Sequence, residues 1–88
     1  MANIKSQIKR NRQNEKRRVR NKAIRSELKT RTRRALEAAE SGDAAAAGEA
    51  LRIVQMRIDS AAAKGVLKKE TAARRKSRLT KQVRSLLG

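Results

Sequence analysis

From residue 24 onward the apolar side chains recur with the period of an α-helix, and before it they do not. Ile24, Leu28, Ala35 and Ala39, with Leu36 at the edge, share one face when successive residues turn by about 100°. Upstream, Ile8 and Val19 point roughly the opposite way. The pattern predicts a first helix over about 6–40 whose second half packs and whose first half has nothing of its own chain to pack against. At about 1.5 Å per residue, the roughly 18 residues ahead of Ile24 make an arm some 27 Å long. A second helix, over about 43–64, carries Ala47, Leu51, Val54, Ile58 and Ala62 on one face and Ile53 with Met56 on the other, as expected of a helix between two neighbours. The third, over about 69–86, is the cleanest amphipath. Ala72, Leu79, Val83 and Leu86 fall in a narrow arc, and Arg74, Ser77, Arg78, Lys81 and Arg84 lie opposite.

The breaks between these segments have their own chemistry. Gly42 suits the left-handed position that ends a helix, and Asp43 after it can accept from the first free amides of the next. Lys64-Gly65 closes the second helix in the same manner, whereas Gly48 lies inside a period that continues past it. There is no proline, and Ala, Arg, Lys, Leu and Glu favour helix almost throughout. The run of alanines at 44–47 reads as a surface that lets neighbouring helices approach closely. The expected fold is all-α: a three-helix bundle with a long, basic N-terminal helix extending beyond it. Residues 1–88 would form a single domain, with an arm over 1–23 and the bundle over 24–88.

Charge decides what the arm is for. Within residues 9–22, Lys9, Arg10, Arg12, Lys16, Arg17, Arg18, Arg20 and Lys22 face a single acid, Glu15. An ordinary exposed helix mixes Glu and Lys at i,i+4, and like charges at that spacing destabilise it. A polyanion resolves that conflict. The formal charge of the chain is +17, divided as +12 over residues 1–34, −3 over 35–60 and +8 over 61–88. That excess is far beyond a mixed, solubilising surface and is the electrostatic footprint of a nucleic-acid ligand.

Other function classes lose ground. The chain has no Cys, His, Trp, Tyr or Phe, which removes disulfides, the usual zinc sites, the thiol nucleophile and the commonest general base. No glycine-rich phosphate loop or nucleophile–base pair appears, so neither catalysis, a small-molecule substrate nor a cofactor is expected. Nothing approaches the roughly 18 apolar residues of a membrane span, and the third helix lacks aromatic anchors for a membrane surface, so a cytoplasmic location is expected. A basic leucine zipper needs several heptads of seam, and Gly42 stops this one after about two. A histone-like, DNA-compacting nucleoid protein remains as the alternative. Lack of aromatics argues against single-strand recognition by base stacking.

Particular residues carry a family resemblance. Ala2-Asn3-Ile4-Lys5-Ser6, Lys9-Arg10, Glu15-Lys16, Arg18, Gly42-Asp43, Ala62-Ala63-Lys64-Gly65-Val66-Leu67, Ala72-Ala73-Arg74 and Lys76-Ser77-Arg78-Leu79, in that order and spacing, closely resemble the bacterial small-subunit ribosomal protein S-twenty family. The match spans nearly the whole chain. Lys68, Glu70 and Thr71 stand where that family usually has His, Asn and Lys. The resemblance implies a structural constituent of the small ribosomal subunit that binds 16S ribosomal RNA early in assembly. It also implies contacts with the 5′ domain and the penultimate 3′ stem, alongside other ribosomal components. By position, Asn3, Lys5, Ser6, Lys9, Arg10, Lys16 and Arg18 fall on the family's RNA-contacting arm, and Lys64, Arg74, Lys76, Ser77 and Arg78 on its C-terminal basic motif. Arg12, Arg17, Arg20, Lys22, Arg25 and Arg75, within or beside these runs, complete the candidate RNA-binding set. The arm, unsupported and self-repelling, is expected to fray when free and to complete its helix on RNA.

Overall fold

A computed structural model describes residues 3–88, with side chains from Ile4 onward. Three helices follow one another: α1 (Asn3–Glu40), α2 (Ala44–Ala63) and α3 (Lys69–Leu87). Both connections are built as the glycines require. At the first, Gly42 has φ +81°, its amide donates to the Ala39 carbonyl at 3.1 Å, and the Asp43 amide donates to Ala38 at 3.3 Å. This pair of backward bonds is the Schellman closure, which satisfies carbonyls the helix end would leave bare. Asp43 then caps α2, its carboxylate accepting from the Ala46 amide at 3.0 Å. The second connection repeats the device. Gly65, at φ +79°, donates to Ala62 at 3.1 Å, and Val66 donates to Ala61 at 2.9 Å while burying its own side chain against the core.

Leu28, Ala35 and Ala39 of α1, Ala47, Val54, Ile58 and Ala61 of α2, and Ala72, Leu79 and Val83 of α3 form the core with Val66. Among the described residues the large enclosed side chains are few, Leu28, Ile58 and Val54 with Leu79 and Val83, so alanines let the helices approach closely around a small apolar centre. Two expected placements differ. Met56 is 61 % exposed and Ile53 only half-buried. In a three-helix bundle each helix faces one shared axis, so a single wide stripe suffices and α2 has no second face to bury. Leu86 is exposed at 44 %, and Leu87 packs on the core in its place. Leu87 lies on the side of α3 that also carries Lys76 and Thr80, both bonded to α2. Leu86 is rotated towards Leu36 and Glu40 of α1.

α1 outruns the other two helices. The molecule measures 65 × 21 × 13 Å with a radius of gyration of 17.4 Å. A compact chain of this length would have about 12 Å. From Ile4 to Arg20 every residue is exposed, and burial begins in earnest at Leu28.

Candidate nucleic-acid interface

The direction of the helices sorts the charges in space. Because α2 runs back along α1, the acids Glu37, Glu40, Asp43 and Glu49 gather around the α1–α2 turn. Lys64, Lys68 and Lys69 lie at the other end, where the arm leaves the bundle. The sequence expectation of basic ends and an acidic middle becomes one strongly basic end and one mixed end, where Lys81 of α3 lines the same hollow as Glu40.

On the arm, Lys5, Ser6, Lys9, Arg10, Arg12, Lys16, Arg17, Arg18 and Arg20 are all exposed, as is Lys22. The side chain of Asn3 lies outside the described residues. Among them the arm has one ion pair, Arg18 Nη2 to Glu15 Oε1 at 2.7 Å, which raises the Arg18 pKa further above its ordinary value. An exposed pair of this kind holds little energy and leaves the arm's excess charge unanswered.

Two grooves flank α1 where it joins the bundle, and they are electrically opposite. Against α2, Glu27 accepts from Arg31 Nε at 2.9 Å and lies 3.3 Å from Arg57 Nε, with Lys64 lining the same narrow cleft. The Arg31 hydrogen bond lowers the Glu27 pKa; partial desolvation opposes this, while the charges of Arg57, Arg31 and Lys64 add to it. Here the cations already have an internal acid.

Against α3, a groove of about 440 Å³ is lined by Arg25 and Lys29 from α1 and by Arg75 and Arg78 from α3. Thr32 and Gln82 also line it, and Leu28, Ile58 and Leu79 close its bottom. No carboxylate lines this groove, and among the described residues none of its four cations is within 4.0 Å of an acid. Arg25 and Lys29 are one turn apart, and the same side of α1 continues up the arm through Lys22, Arg18, Asn14, Asn11 and Gln7 at three- and four-residue steps. The groove thus opens onto a side of the arm that is cationic at Lys22 and Arg18 and carries uncharged amides beyond them. Along the outside of α3, Arg74, Ser77, Arg78 and Lys81 form a second open shelf beside it.

Of the candidate residues in the C-terminal motif, Arg74, Arg75, Ser77 and Arg78 are exposed and outward. Lys76 is different. Its Nζ lies 2.7 Å from Asp59 Oδ1 of α2, and one turn on Gln55 Nε2 donates to Thr80 Oγ1 at 3.0 Å, so Lys76 ties α3 to α2. Lys29, Lys81, Thr32 and Gln82 were not in the candidate set. Their signal was the helical step, which carries the polar face from Arg25 to Lys29 and Thr32 and from Arg78 to Lys81 and Gln82.

Comparison with known proteins accords with this surface. The profile of the family described as Ribosomal protein S20 matches residues 2–84. This chain belongs to that family. Relatives bearing the name "Small ribosomal subunit protein bS20" include one from Frankia casuarinae, 57% identical over 81 residues, covering 92% of this chain and 91% of its own. One from Salinispora tropica is 56% identical over 85 residues, 97% of each chain. Another, from Streptomyces avermitilis, is 53% identical over 88 residues and covers the whole of both. The family match takes in both the arm and the basic motif of α3. Among the described residues, no helix is long and apolar enough to cross a membrane.

Proposed function

We propose that this chain is a structural constituent of the small ribosomal subunit that binds 16S ribosomal RNA directly and holds its segments in place during assembly. The observation that carries the reading is the α1–α3 groove, whose four cations have no acid of their own, at the foot of an arm whose Lys and Arg side chains are all exposed. Membership of a ribosomal-protein family supports the same reading and speaks against an enzyme. In this reading residues 1–23 are the RNA-binding arm and 24–88 the bundle that aims it. Arg and Lys along the arm, with Lys64, Arg74, Arg75 and Arg78, neutralise phosphates, contacts that position an RNA without reading its sequence. Lys76 acts through the α2–α3 tie. Specificity comes from shape, since a rigid bundle with a projecting rod fits only where RNA helices are suitably arranged, and the deep groove of A-form RNA is hard for side chains to read. The 5′ domain and the penultimate 3′ stem are the proposed segments, and the cytoplasmic ribosome the proposed location.

Sedimentation of a lysate tests the class. The protein should travel with small subunits and leave them at high salt, and chemical footprints on 16S RNA should show protection in both proposed segments. Recovery with the nucleoid instead would favour the DNA-compacting alternative.

A further inference from the structure

The α1–α3 groove has a feature that phosphate binding does not require. A phosphate is satisfied by cations alone, yet beneath the four cations the groove descends to the apolar side chains of Leu28, Ile58 and Leu79. It is lined by long Arg and Lys side chains, which commonly lay their aliphatic stems over apolar surface and keep the charged head in water. Its volume of about 440 Å³ is matched by the open hollows along α3, of about 410, 560 and 430 Å³, and what sets it apart is its floor of three core side chains. The cleft on the other side of α1 has about 20 Å³ and is already neutralised by Glu27.

We infer that this groove seats one unstacked nucleotide of the bound RNA, its base between the arginines over the apolar floor and its flanking phosphates on the rim. This rests on the RNA reading above. A base is planar and apolar on its faces and polar at its edge. Splayed-out RNA bases stack on arginine planes as well as on aromatic rings, and this chain, which has no aromatic residue, has Arg25, Arg75 and Arg78 at the groove. Thr32 and Gln82 supply a hydroxyl and an amide, each able to donate and to accept, for the base edge. The negative charge that accompanies a nucleotide meets four cations and no acid. The consequence is local recognition of an unpaired position within an otherwise shape-read RNA, despite the absence of aromatic stacking platforms.

Three RNA hairpins test this with the full chain: one with a single-nucleotide bulge, one with an abasic residue at the bulge, and one with an uninterrupted stem. The bulged hairpin should bind about tenfold more tightly than either control, in keeping with the worth of stacking one base. Arg75→Lys with Arg78→Lys, a charge-neutral change at exposed positions, removes the planar guanidinium faces and should abolish that preference; a melt verifies that the variant is folded. Equal binding of the three hairpins overturns the inference and leaves a groove that takes phosphates only. So does displacement of the bulged hairpin by polyglutamate at equal charge concentration, which would assign the groove to an acidic protein. Failure of every hairpin and of 16S RNA to bind would instead refute the RNA reading beneath it.

Discussion

Asn14→Pro separates the arm's role in binding from the stability of the fold. Asn14 is exposed at the middle of the arm, carries no charge, and lies ten residues ahead of Ile24. Proline there removes the amide that bonds to the carbonyl of Arg10 and pushes its ring into that carbonyl, a cost of about 3 kcal/mol in a helix interior. Because nothing of the bundle touches this turn, the melting temperature should stay within a degree or two of wild type. RNA binding has two ways to respond. If the arm must be one continuous helix on RNA, the full cost appears in the affinity, about a hundredfold at 1.4 kcal/mol per tenfold. If the segment ahead of the break detaches instead, Lys5, Lys9, Arg10 and Arg12 are lost, and the plot of log affinity against log salt becomes shallower by roughly 3. Titration of 16S RNA by fluorescence anisotropy at several salt concentrations distinguishes these two. Asn14→Ala is the control, and by raising helix propensity it should bind as well as wild type or better. Equal affinity and equal salt slope for the proline and alanine variants would refute the proposal that the arm binds as a helix.

Wild-type affinity should fall steeply with salt, with a log–log slope on the order of −5 to −9 if six to ten phosphates are neutralised; a flat plot would exclude the electrostatic mechanism. Arg74→Glu with Arg78→Glu should weaken RNA binding and leave the melt nearly unchanged, whereas Leu79→Ala should cost about 2–5 kcal/mol of stability; equal destabilisation of both would mean the faces of α3 are misassigned. Hydrogen exchange on the free protein should be fast ahead of Ile24 and slow between Leu28 and Leu36, and uniform protection along α1 would show the arm to be a preformed rod. Glu27 titrates below the ordinary carboxylate range because its charged form is held by Arg31, Arg57 and Lys64, so its contribution is present above the unfolded carboxylate pKa and lost as pH falls through the folded one. Glu27→Gln should therefore melt below wild type at pH 7 and alike near pH 2; a gap that persists at low pH would show that it arises from something other than the charge.

The helix spans were legible because their ends are local events: Gly42 and Gly65 take a conformation other residues avoid, and Asp43 caps within three residues of itself. The arm was legible for the opposite reason, since Ile8 and Val19 are too sparse to make a stripe and lie on the side of the helix away from Ile24 and Leu28. What escaped depends on how each helix is turned against its partners. A rotation of α3 by a fraction of a turn decides whether Leu86 or Leu87 enters the core, and both fit its apolar arc. The same rotation brings Arg75 and Arg78 opposite Arg25 and Lys29, and takes Lys76 to Asp59, 17 positions away in the chain. A run of four residues such as Arg75-Lys76-Ser77-Arg78 reads as one basic motif in one dimension. In space its members face different neighbours.

The sorting of acids to the α1–α2 turn and of cations to the arm makes this protein a permanent charge dipole along its long axis. In the field of a polyanion such a body feels a torque as well as an attraction. It turns before contact, presenting the arm first and swinging Glu37, Glu40, Asp43 and Glu49 outward, so that most approaches to an RNA surface converge on one heading. The acids of the bundle thus guide docking without touching the RNA, and neutralising them would slow productive encounters even though it raised the net positive charge.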